Sequence, residues 1–134
     1  MYWIRSLLVA QSVIQDRASG AMSAINIIEQ FYPPGYPILI PSFVVFGIVE
    51  RSADAPPAPK GRLDILLDNE RIFGQDIDIQ FGETLLNRVS FEFQGFTIPR
   101  PGRLRITLSV ADAKLDSYAL DAFPVGTALP KRLS

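Results

Sequence analysis

The chain has 134 residues, 20% of them charged, and a net charge of −1, so it is one domain large enough to bury a core and carries no global basic field for nucleic acid or an anionic membrane. It contains neither cysteine nor histidine, which excludes disulfides, thiolate nucleophiles, zinc-finger spacings and every Ser-His-Asp or Cys-His arrangement. A metal would have to be a hard cation held by oxygens, and hydrolysis would have to run on carboxylates, lysine or tyrosine.

The N-terminal MYWIRSLLVAQSVIQD lacks the charged n-region and small-residue cleavage site of a signal peptide. Its apolar run is broken by Arg5, Ser6, Gln11 and Ser12, far short of the ~20 residues that span a bilayer. These features predict a soluble, cytoplasmic protein with no cofactor. Residues 3–14 read as a strand, apolar on both faces, and QDRASG (15–20) as a turn. AMSAINIIEQF (21–31) fits either helical or strand spacing, and the glycine before it and YPPGYP after it favour a strand. ILIPSFVVFGIVER (38–51) is almost continuously apolar and β-branched, so it reads as a central strand buried on both faces, with Pro41 near its start.

SADAPPAPKG (52–61) is a stiff, extended loop. Strand 62–67 follows, then a turn at DNERIFG, then a strand alternating Asp76, Asp78 and Gln80 with Ile77, Ile79 and Phe81. FGETLLN reads as a helical turn or a crossover loop. Strand 88–98 alternates Val89, Phe91 and Phe93 with Ser90, Glu92 and Gln94, and strand 103–110 alternates Arg103, Arg105, Thr107 and Ser109 with Leu104, Ile106, Leu108 and Val110. A last strand spans about 115–123. With PRPG (99–102) closing a hairpin, the alternations of 88–98 and 103–110 agree in parity, Phe93 faces Leu108, and Arg105 lies over Phe96. Gly95, opposite Ile106 in that register, marks a bend or bulge. About eight strands at this spacing predict a single-domain antiparallel β-sandwich over 1–125, with a flexible C-terminal tail at 126–134.

Asp76 and Asp78 put two carboxylates on one strand face, about 7 Å apart. That pair would suit a carboxylate hydrolase or, as candidate metal ligands, Ca²⁺, although no glycine turn of the EF-hand kind follows them. The ordinary reading is a solvated strand face, with no metal. Arg100, Arg103 and Arg105 cluster near one connection, but only Phe96 supplies an interleaved aromatic, and Glu92 and Asp64 dilute the charge. The pattern therefore speaks against nucleic acid. Trp3, Tyr32, Tyr36 and Phe96, with Arg103 and Arg105, form the candidate ligand-binding set, because sandwich modules stack sugars on exposed aromatics. The competing reading packs Tyr32 and Tyr36 into the FYPPGYP connection.

The stretches LLVAQSVIQD, NIIEQF and IPSFVVFGIVER resemble a family of short bacterial β-sandwich proteins known as a domain of unknown function. FQGFTIPRPGRLRITLSVADAKL is similar to a hairpin of immunoglobulin-like and C2-like sandwiches. The resemblance implies fold and brings no catalytic residues. The function expected is a non-catalytic binding or structural module, not an enzyme, acting through a protein partner or self-association within a larger assembly. The alternatives are a carbohydrate- or Ca²⁺-binding sandwich and a carboxylate-based hydrolase. An apolar N-terminal strand and edges without lysine point to an oligomer.

Overall fold

Alternation of polar and apolar side chains is realised as strands along nearly the whole chain: β1 (Tyr2–Gln15), β2 (Met22–Ile27), β3 (Gln30–Phe31), β4 (Ile38–Arg51), β5 (Lys60–Leu67), β6 (Glu70–Asp78), β7 (Leu86–Ile98), β8 (Gly102–Val110) and β9 (Ala113–Ala122). The computed structural model describes residues 1–31, 33, 35–111 and 113–122. The tail expected at 126–134 and the candidate Tyr32 lie outside the described residues. Two sheets form, ordered β2-β1-β4-β7 and β3-β9-β8-β5-β6. Every pairing is antiparallel except the two-residue contact of β3 with β9. The all-β sandwich expected from the sequence is the fold observed, and the ambiguous stretch 21–31 supplies two strands, β2 and β3, with a break at Ile28 and Glu29.

The core lies between the sheets. Val9, Phe43, Val45 and Phe93 of the four-stranded sheet pack on Leu63, Ile65, Leu67, Leu104, Ile106 and Leu120 of the other. A second cluster, Val49, Ile79, Phe81, Leu108 and Val110, fills one end. β4 is buried continuously from Phe43 to Gly47, as its unbroken apolar run predicts. Phe46, however, points to the outer side of its sheet, opposite Leu8 and Ser90, and does not join the core with Phe93.

The hairpin expected at PRPG does not form. β7 pairs with β4 and β8 pairs with β5 and β9, so residues 99–101 carry the chain from one sheet to the other. Ile98 and Arg100 each precede a proline, and that position is pushed out of the helical region that a compact four-residue turn uses. The crossing is tied instead to the tip of the β5–β6 hairpin. The Asp68 carboxylate accepts from the Arg103 amide at 3.0 Å, and Arg100 donates to Glu70 at 3.0 Å. That tip is tighter than DNERIFG suggested: Asp68 and Asn69, at φ 48° and 71°, make a two-residue turn of the type whose twist matches its strands. Glu70 to Gly74 are already strand.

Two further features shape the four-stranded sheet. Pro41 lies inside β4 rather than at its start, and Gly95, across from it in β7, has φ +76°. The second is a bend in the β1–β2 hairpin. A straight β1 would carry its turn about 30 Å beyond Ser6, yet Arg88 of β7 donates to the Gly20 carbonyl at 3.1 Å. The hairpin therefore folds back across the outer side of its sheet, where Ala10, Val44 and Phe46 are buried although they point away from the core.

Candidate functional site

The expected ligand-binding residues are not brought together. Trp3 stands 40% exposed on the outer side of the four-stranded sheet, in register with Glu50. Arg103 and Arg105 point outward from the other sheet, on the far side of the molecule. Phe96 turns inward between them, edge-on to Phe43 at 5.6 Å and Phe93 at 5.7 Å, so no cation–π contact with Arg105 exists. The half-buried Tyr36 packs against the core. Burial pushes its hydroxyl up from the ordinary tyrosine range, and among the described residues that buried hydroxyl has no hydrogen-bond partner.

Asp76 and Asp78 do share one face, as their spacing requires, but each is matched by a cation across the strand pair. Lys60 stands opposite Asp78 and bonds to it; Arg62 stands opposite Asp76 and reaches it at 2.8 Å. Arg62 also holds Asp64 at 3.0 Å, and Arg71 holds the same Asp64 oxygen at 3.2 Å. Gly74 makes room for this ladder, since a Cβ there would come within 2.3 Å of the Arg62 guanidinium. The Lys60 ammonium is raised above its ordinary range by its hydrogen bond to Asp78, and the Arg62 guanidinium by its bond to Asp76. Among the described residues no three acidic side chains converge as metal ligands. The carboxylates are exposed partners of lysine and arginine, which is the geometry of cross-strand ion pairs.

A groove of about 530 Å³ runs along this ladder, lined by Lys60, Arg62, Asp76, Asp78 and Ser109. A neighbouring one is lined by Asp64, Asn69, Arg71, Arg105 and Thr107. Among the described residues Arg105 donates a long bond, 3.4 Å, to the Ser117 hydroxyl. Arg103 is paired with the buried carboxylate of Asp121 at 3.0 Å. The outer side of the five-stranded sheet is thus polar and balanced in charge.

The opposite outer side differs in kind. There Trp3, Ile14, Ile25, Ile27 and Leu86 are exposed by 40%, 52%, 38%, 52% and 43%. Trp3 and Leu86 flank Glu50 at one end of the sheet, whereas Ile14, Ile25 and Ile27 belong to the β1–β2 hairpin, Ile25 opposite Ser12 and Ile27 opposite Ala10. This surface was missed in the sequence, because Ile25 and Ile27 look like core residues until their strand is placed at a sheet edge. Also unforeseen was Arg51, which is 8% exposed. It donates to the carbonyls of Thr84 at 3.0 Å, Ala55 at 3.0 Å and Gly82 at 3.3 Å, and its guanidinium sits 5.6 Å from the Phe81 ring centre. It fastens the loop after β4 to the crossover before β7, a structural task. The chain matches no family model and no curated protein.

Proposed function

We propose that the protein is a non-catalytic binding or structural module that works through protein–protein contacts as a component of a larger assembly. One observation carries this reading: the two outer sides of the sandwich are chemically opposite. One is a ladder of matched charges centred on Arg62 and Asp64. The other exposes Trp3 and Leu86 at one end of its sheet and Ile14, Ile25 and Ile27 on the β1–β2 hairpin. Exposed large apolar side chains suit a protein partner, since burying them returns roughly 25 cal/mol per Å². The matched carboxylates favour this reading over calcium binding or two-carboxylate hydrolysis.

The test compares the wild-type chain with an Ile25→Asp/Ile27→Asp variant as baits in the source cell, after cross-linking. Both isoleucines are on the edge strand β2 and exposed, so the fold should survive, as circular dichroism would verify. The reading predicts proteins captured by the wild type and lost by the variant. Identical captures by both would contradict it.

A further inference from the structure

We infer that a second copy of this chain pairs with β7, edge to edge and antiparallel, joining two four-stranded sheets into one across a two-fold axis at Ser90. This deepens the reading above, on which it rests, by naming one partner and its register.

Three observations lead there. β7 ends its sheet, and over Leu86 to Ile98 it contains no lysine and no proline, two devices by which monomeric proteins blunt an edge. The other edges are shorter or carry matched charges: β2 has six residues, β3 two, and β6 bears Asp76 and Asp78 with their partners. Second, the outward side chains of β7 include one cation and one anion, Arg88 and Glu92, both exposed. Arg88 bonds to a carbonyl, at Gly20, and not to a carboxylate. Among the described residues Glu92 forms no ion pair.

Third, the spacing of that pair selects one register. An isologous strand pair places residue i opposite j and j opposite i. With Ser90 on the axis, Arg88 of each copy meets Glu92 of the other, twice. On the inward side Val89 meets Phe91, and both are half-buried at the open edge, so the second copy would complete their burial. Centring on Arg88 or on Glu92 puts like charges face to face, which is destabilising. Centring on Val89 or Phe91 leaves Arg88 or Glu92 opposite serine. The left-handed Gly95, φ +76°, falls beyond the stretch from Leu86 to Gln94 that this register uses.

The experiment is a charge swap read by light scattering over micromolar to 100-micromolar protein. The wild type should approach twice the 14.9 kDa chain mass. Glu92→Arg sets Arg88 against arginine at both symmetry-related positions and should raise the dimer dissociation constant roughly tenfold or more. Arg88→Glu/Glu92→Arg restores the pairing with its sense reversed and should recover affinity. A thiol scan fixes the register, because the native chain has no cysteine. Ser90→Cys should oxidise readily to a covalent dimer, since strands facing each other at about 4.5–5.5 Å lie within disulfide reach. Ser23→Cys, on β2, should not.

A wild type that stays at 14.9 kDa throughout overturns the inference but leaves contacts with other proteins untouched. Cross-linking through Ser23 in place of Ser90, or no recovery in the doubly swapped variant, overturns the β7 register while self-association stands.

Discussion

Pro41 of β4 lies directly across from Gly95 of β7, and at that point both strands exchange the face they turn to the core. The flanking pairs, Ile40 with Phe96 and Ser42 with Gln94, keep one unbroken register. Yet the inward side chains run Ile38, Ile40, then Phe43 and Val45 on β4, and Phe91, Phe93, then Phe96 and Ile98 on β7. Each strand skips one extra residue at the same place, so the two irregularities cancel. Phe96 thereby joins Phe43, Phe73 and Phe93 in an aromatic cluster with ring centres 4.7–6.3 Å apart.

Replacing Gly95 by alanine tests this exchange. The added methyl meets open space, its nearest neighbour a Leu39 carbon at 3.8 Å, so the cost is conformational. A left-handed φ of +76° should make Gly95→Ala about 1–2 kcal/mol less stable, read as a lower urea midpoint with unchanged slope. Phe93→Ala, at the centre of the cluster, should cost about 3–5 kcal/mol by deleting a ring and leaving a cavity.

Arg51 should behave as a structural residue. Its removal leaves the carbonyls of Ala55, Gly82 and Thr84 without their donor. Arg51→Ala should therefore lose about 2–3 kcal/mol. Arg51→Lys should recover only part, since one ammonium cannot span the fork of a guanidinium. Thermal melts of the two variants check both statements.

Tyr36→Phe should move stability the other way. The Tyr36 hydroxyl is buried and finds no partner among the described residues, so deleting it removes a desolvated group without breaking a bond seen there. The change should be neutral to about 1 kcal/mol stabilising. A loss beyond 1 kcal/mol in chemical denaturation would show that the hydroxyl is bonded.

Asp16 governs the turn between β1 and β2. Its carboxylate is held below the ordinary range chiefly by the Ser19 hydroxyl, at 2.7 Å, and by the Ala18 amide. The group is depressed on folding, so its support for the turn is present above the unfolded midpoint and fades as pH falls through the folded one, below about 4. Carbon-detected NMR titration should show the lowered midpoint. Ser19→Ala should bring it back toward the ordinary value.

The strands and the sandwich were legible because period-two alternation reports which side of a strand is wet. It does not report the neighbour. Strand 103–110 satisfies the same parity against β5, its true partner, as against β7, so agreement of alternations could not discriminate the sheets. The readable signal was the pair of residues preceding prolines, Ile98 and Arg100, which resist a tight turn. Asp76 and Asp78 were rightly placed on one face, but their cations come from β5, a pairing that only topology supplies. Trp3 and Arg103 could be grouped in sequence because nothing there says that two sheets would separate them. The outward turn of Ile25 and Ile27 was hidden for the same reason.

Hydrogen exchange across β7, followed as a function of protein concentration, tests the account most directly. If copies of the chain meet at this edge, the amides from Leu86 to Gln94 that point away from β4 gain protection as concentration rises and lose it on dilution. Those on the shared ladder with β4 stay protected throughout. Exchange at the outward amides that is fast and independent of concentration would contradict the account.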